Sequence, residues 1–168
     1  MQFSHRLARQ ADLAEIVAIY NSTVASREVT ADTEPVSVAS RQQWFDDHTP
    51  ERRPLWIIHP VGDADTVLGW MSYSNFYGRP AYSGTAELSI YIGQAWRGKG
   101  IGGYCIEQAI AFAPQIAVHT LLGFIFGHNL PSLALFRKYG FDTWANLPRV
   151  ANLDGIERDL VILGKRVA

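Results

Sequence analysis

The feature that most restricts this chain is a glycine-rich turn, Arg97-Gly98-Lys99-Gly100-Ile101-Gly102-Gly103, set between two apolar patterns. Before it, Ala86, Leu88, Ile90 and Ile92 recur at period two over Thr85 to Ile92, the spacing of a strand with one buried face. After it, Ile101, Cys105, Ala109 and Phe112 share one helical face with Gln108, and Pro114 marks the far end. Strand, glycine turn and helix in that order make a device for holding phosphate. Glycine admits close approach and positive φ, and the free N–H groups and dipole of a helix start attract an anion. Arg97 and Lys99 add positive charge beside the turn.

The rest of the chain reads as alternating short elements. Phe3 to Ala8 predicts a strand. Leu13, Ile16, Val17 and Tyr20 form an apolar stripe behind Asp12, which predicts a helix capped by that aspartate. Asn21 to Pro35 is polar and reads as a loop, long enough to suggest a functional role. Ser37 is placed to cap a second helix carrying Trp44 and Phe45. Leu55 to His59 and Thr66 to Phe76 pair as a hairpin around Gly62-Asp63. His119 to Phe126 is nearly all apolar, as in a strand covered on both faces. Pro131 opens a helix that Gly140 ends. Strands about Phe141 to Arg149 and Arg158 to Val167 follow, turning through Asn152-Leu153-Asp154-Gly155. The order β-α-α-β-β-β-α-β-α-β-β predicts one mixed α/β (α+β) domain over residues 1–168, a mostly antiparallel sheet with helices on both faces.

Charge and special residues exclude several classes. Fifteen basic against sixteen acidic residues leave a net charge of −1, with no field for nucleic-acid binding. The single Cys105 forms no internal disulfide. The start, Met1-Gln2-Phe3-Ser4-His5-Arg6, lacks the apolar core of a signal peptide, and no apolar run reaches membrane-spanning length, so a cytoplasmic location is expected. His5, His48, His59, His119 and His128 show no metal-ligand spacing, so no metal is expected.

Which phosphate ligand the turn takes is a separate question. A nucleotide P-loop needs Ser or Thr after Gly98-Lys99 and finds Gly100. Gly98, Gly100 and Gly103 satisfy a dinucleotide fingerprint. That reading also wants an acid at the end of the next strand, where the chain has Gly127, His128 and Asn129. The third ligand is the pyrophosphate of an acyl-CoA. Arg97-Gly98-Lys99-Gly100-Ile101-Gly102 resembles the Gln/Arg-x-x-Gly-x-Gly/Ala motif of the GCN5-related N-acetyltransferase (GNAT) superfamily. Asn129 to Phe141 resembles a second motif, Asn-x-x-Ser-x-x-Leu-Tyr-x-x-x-Gly-Phe, and the element order matches along the whole chain. Ile19-Tyr20-Asn21, Asp32 to Val36, Trp44-Phe45, Arg79 to Tyr82, Thr85-Ala86-Glu87 and Asp159-Leu160 look like the branch that acetylates phosphinothricin, methionine sulfoximine and methionine sulfone.

The resemblance implies the GNAT fold, acetyl-CoA as cofactor, a small amine acceptor and a homodimer. In that dimer the Asn21 to Pro35 loop, with Thr30 and Glu34, would approach the partner's pocket. It lays the pantetheine along Ile90, Tyr91 and Ile92, the pyrophosphate on Arg97, Gly98, Lys99, Gly100, Ile101, Gly102 and Gly103, and further cofactor contacts on Asn129 and Ser132. It makes Glu87 the general base, since an ammonium must lose its proton before attacking a thioester. Arg79, with a planar guanidinium in the loop before that strand, suits an acceptor carboxylate, and Tyr77, Gly78, Leu88 and Ser89 join it by position. Departures are visible. Phe136 stands where many members carry a tyrosine that protonates the leaving thiolate. Tyr139, three positions on, reads as core. Leu88 replaces a histidine of the branch, and Leu153, Ile156 and Glu157 replace its basic and aromatic cluster. These leave open another amine acceptor (a polyamine, an aminoglycoside or a protein N-terminus) and a non-catalytic acyl-CoA-binding module.

Overall fold

The computed structural model describes residues 1–168. Seven strands form one sheet in the order β1-β2-β3-β4-β5-β7-β6. They are β1 (Phe3–Leu7), β2 (Leu55–Pro60), β3 (Gly69–Asn75), β4 (Thr85–Ile92), β5 (Thr120–Phe126), β6 (Asp142–Leu153) and β7 (Ile156–Arg166). Only β4 and β5 run parallel, joined through the helix α3 (Ile101–Phe112). The expected mixed, mostly antiparallel sheet is therefore the observed one.

Helices cover both faces. On one, α1 (Leu13–Asn21) sets Ile16 and Ile19 against Leu55, Ile57 and Trp70, with Trp44 and Phe45 of the short α2 (Gln42–Asp46) at the margin. On the other, Ile101, Cys105, Ile106 and Ala109 of α3 and Leu133 and Phe136 of α4 (Leu130–Lys138) meet Trp56, Ile58, Met71, Tyr73, Ala86 and Leu88. Alternate residues of β2 thus enter opposite cores, which is why Leu55 to Ile58 are all apolar. Each fully buried side chain, such as Ile57 or Leu121, contributes about 1.5–3 kcal/mol relative to exposure.

Local chemistry moves several boundaries. Asp12 does not cap α1. Its carboxylate turns back to accept from Arg9 N (2.6 Å) and to pair with Arg6 (2.7 and 2.9 Å), closing a short 3-10 turn before the helix. Thr66 is held by Asp63 in the turn, so β3 begins only at Gly69. β6 continues past Arg149 because a bulge absorbs Pro148 and the positive φ of Arg149 (53°), whose N–H bonds Asp159 at 2.9 Å. Asp154 (φ 56°) and Gly155 (φ 87°) then make the tight hairpin.

The pairing between β4 and β5 decides where a ligand fits. Thr85, Ala86 and Glu87 pair with Thr120, Leu121 and Leu122, and there the ladder ends, although both strands continue. Beyond Glu87 the two strands part, leaving the β5-facing edge of β4 without a partner strand.

Candidate active site

The gap between β4 and β5 is a cleft lined by Leu88 to Ile92, Gly102, Phe124, Asn129, Ser132 and Phe136. It runs on to Arg97, Gly98, Gly100 and Gly103 at the start of α3. The glycines divide by role. Gly98 (φ 74°) and Gly100 (φ 88°) take the left-handed conformation, and a Cβ on either would point into open space. Gly102 and Gly103 are packing glycines: a Cβ there would meet Leu135 Cδ2 at 2.7 Å and the Tyr139 hydroxyl at 2.4 Å, so they let α4 approach α3. Tyr139 is accordingly a core-packing residue. The first N–H groups of α3 have no intrahelical acceptor and open on the exposed Arg97 to Gly100 turn. Asn129 caps α4, accepting weakly from Ser132 N at 3.4 Å, while both residues border the cleft.

Glu87 lies at the last pairing between β4 and β5. Strand alternation places it with Ser89 and Tyr91 on the α1 face, whereas Leu88 packs in the opposite core and borders the cleft from there. Burial, with no charge or hydrogen bond contributing, pushes the Glu87 carboxyl above the usual carboxylate range. A carboxylate of that kind holds a proton more firmly than one in water, which suits removal of a proton from an ammonium.

Two further cavities meet at Glu87 and Tyr91. One is mainly apolar, between Val29, Thr30 and Ala31 of the long loop and Val150 to Leu153 of the β6–β7 hairpin, with Phe124 and Leu160 behind. The other, on the α1 face, is walled by Tyr20, Trp44 and Trp70, floored by Ser72, Ser74 and Ser89, and holds Arg41. Tyr91 stacks on Trp70 with centroids 4.6 Å apart and 15° between planes.

The structure gathers Glu87, Ser89, Ile90, Tyr91, Ile92, the glycine turn, Asn129 and Ser132 around one continuous cleft. It does not bring Tyr77, Gly78 and Arg79 there. Tyr77 is exposed, and Gly78 and Arg79 line a separate depression with Arg52, Asn75 and Tyr82. Buried Arg53 holds that loop at both ends, through Asn75 Oδ1 and the Ser83 carbonyl, each at 2.8 Å. Only Phe76, 6.4 Å from Phe124 between ring centroids, links it to the cleft. The sequence reading missed Tyr20 as a cavity wall, Arg41, Ser72 and Ser74. A signal existed: Ser72 and Ser74 alternate with Met71 and Tyr73 as a polar row, and Arg41 precedes Trp44 by one helical turn. Phe136 is buried over Gly123 and has no proton to give. Burial pushes the Cys105 thiol up to about 12, far from nucleophilic use.

A strand parted from its neighbour, ending in a glycine turn at a helix start, defines an acyl-CoA-type cleft rather than a dinucleotide fold. Residues 5–142 match the acetyltransferase (GNAT) domain model, and the chain belongs to that family. It is 52% identical over 163 residues to YwnH of Bacillus subtilis (strain 168), whose name provisionally marks it as a phosphinothricin acetyltransferase; the match covers 97% of this chain and 98% of that one. It is 32% identical, over 97% of this chain and 94% of the relative, to an L-methionine sulfoximine/L-methionine sulfone acetyltransferase of Pseudomonas aeruginosa. Among solved structures, a phosphinothricin acetyltransferase from Sinorhizobium meliloti in complex with acetyl-CoA superposes with a TM-score of 0.90 at 27% identity, covering 99% of this chain and 89% of that one. The chain is a GNAT-type N-acetyltransferase.

Proposed function

We propose that this enzyme transfers acetyl from acetyl-CoA to the amine of a small amino-acid-like acceptor of the phosphinothricin, methionine sulfoximine or methionine sulfone type, by direct attack on the thioester. One observation carries the reading: the unpaired, half-buried Glu87 sits where the cleft between the strands meets an apolar cavity of its own.

The residues present fit the cofactor. The first-turn N–H groups of α3, the open space at Gly98 and Gly100, and the charges of Arg97 and Lys99 suit a diphosphate. The unpartnered edge of β4 at Ile90, Tyr91 and Ile92 suits the amides of pantetheine, added as a strand would be. Acetyl-CoA supplies the activated acetyl group. Main-chain N–H groups of β4 polarise its carbonyl, and Glu87 takes the proton from the acceptor. Because Phe136 offers none, the leaving sulfur is protonated by water.

The apolar cavity beside Val29 and Leu153 takes the acceptor's short side chain. The expected cation, Arg79, lies with Tyr77 and Gly78 outside the cleft, which offers the acceptor's carboxylate Ser89 and no arginine of that loop. The hairpin wall differs from the branch at Leu153, Ile156 and Glu157, and there acceptor choice is set. The active form is a homodimer joined along the β6 edge. An acceptor screen tests the function: release of CoA thiol, read with a thiol-detecting dye, is expected with methionine sulfone or its analogues. Turnover with only a polyamine, an aminoglycoside or a peptide N-terminus would replace the acceptor. Stabilisation by acetyl-CoA with no turnover on any amine would make the chain a binding module.

A further inference from the structure

Acetylation of an ammonium has a proton to dispose of. The acceptor gives up two protons as the N–C bond forms and the C–S bond breaks; one ends on the CoA sulfur and one is released. If Glu87 takes the released proton, it must lose it before the next turnover.

The serine-floored cavity lies directly behind Glu87. Its volume is about 210 Å³, and a water molecule needs roughly 10–15 Å³ of such space, so several fit. Ser72, 1% exposed, lines the cavity together with Ser74 and Ser89. Three serine side chains and the Glu87 carboxyl give water in that space polar partners. At the far wall stands Tyr91, which also lines the adjoining cavity together with Thr30, itself 6% exposed. Thr30 Oγ1 in turn bonds the Tyr20 hydroxyl, and Tyr20 donates to Asp32. Asp32 reaches solvent, its side chain 43% exposed, and Arg41 balances it at 3.0 Å while also lying over the Tyr20 ring. The chain of hydroxyls therefore runs from Thr30 through Tyr20 to a solvated carboxylate, and both Tyr20 and Tyr91 line the serine-floored cavity.

We propose that Tyr91, Thr30, Tyr20 and Asp32 form a relay that carries the proton from Glu87, through water in the serine-floored cavity, to solvent. Each hydroxyl gives its own proton onward as it receives the next, so no hydroxyl ends a turnover charged. Asp32 accepts the last proton and exchanges it with bulk water. Arg41 holds Asp32 in place and is a positioning residue. The relay rests on Glu87 acting as the base.

The test uses acetyl-CoA and L-methionine sulfone with Thr30→Val, Thr30→Ser and Tyr20→Phe, each checked for an unchanged melting curve. Thr30→Val and Tyr20→Phe are expected to lower kcat about tenfold, less than the roughly 100-fold of a directly positioned acid or base, because cavity water still carries part of the flow. They should also raise the solvent deuterium isotope effect. Thr30→Ser, which keeps the hydroxyl, should restore both values. Unchanged kcat and isotope effect in Thr30→Val and Tyr20→Phe would overturn the relay, and so would a kcat loss with an unchanged isotope effect. Glu87→Gln separates the two claims. If it abolishes turnover while Thr30→Val does nothing, the relay alone fails; if it keeps turnover, both fail.

Discussion

Ser74 and Glu87 stand directly opposite one another in the β3–β4 pairing, on the same face of the sheet. They line one cavity together, and Glu87 is the proposed base. Tyr20, Tyr91 and Arg41 are the other ionisable groups on this cavity. Glu87 works as a base only when ionised, and burial raises its pKa. Activity should therefore fall as pH drops through a value above the ordinary carboxylate pKa of about 4.3. Replacing the opposite hydroxyl in Ser74→Ala makes the surroundings less polar and should move this acid limb to higher pH. A pH profile of kcat/KM checks both. A limb that stays put in Ser74→Ala would detach it from Glu87.

Gly100 holds φ at 88° and its missing Cβ would point into open space. Gly100→Ala therefore meets no clash and costs only backbone strain, about 1–2 kcal/mol, or a melting temperature lower by about 5 °C. The new methyl enters the space assigned to the diphosphate, so acetyl-CoA should bind at least tenfold more weakly by calorimetry. Equal affinity would place the diphosphate elsewhere.

The helix-forming stripes and the strand Thr85–Ile92 were legible because their evidence is local and periodic. The glycine turn was legible for the same reason, its spacing from that strand being fixed in the chain, whereas Glu87 was singled out by the family resemblance. β6 was cut short at Arg149 in the reading, and only the distant Asp159 shows that a bulge at Pro148 and Arg149 carries the strand on to Leu153. Asp12 was read as a helix cap because its pull toward Arg6 is a tertiary effect. Tyr20, Thr30, Asp32 and Arg41 share no common period. They meet only when the long loop folds back over α1, so their contacts had no signature in the sequence.

Stability should also depend on pH through two histidines. Burial holds His5 and His48 below the usual value of 6.5, with His59 adding repulsion at His5. The unfolded chain then takes up protons first as pH falls below about 6.5, so folding stability declines from there until pH drops below the folded values. His48 Nε2 is buried without a partner. His48→Phe should flatten this decline without lowering the melting temperature at pH 8. Melting curves between pH 8 and 5 decide it; an unchanged slope in His48→Phe would remove that residue from the effect.

The edge strand β6 runs for 12 residues and exposes Trp144, Leu147 and Val150. Long apolar edges invite pairing with another chain. Light scattering should show a dimer, and Val150→Lys, at a position 58% exposed, should yield folded monomer. A monomeric wild type, or a dimeric Val150→Lys, would move the interface or remove it.

The most direct measurement concerns Glu87 itself. Glu87→Gln keeps shape and removes the base, so turnover of acetyl-CoA with methionine sulfone should fall about 100-fold or more, while calorimetry shows the same affinity for acetyl-CoA. Turnover within a few-fold of the unaltered enzyme would contradict the assignment of proton transfer to this carboxylate.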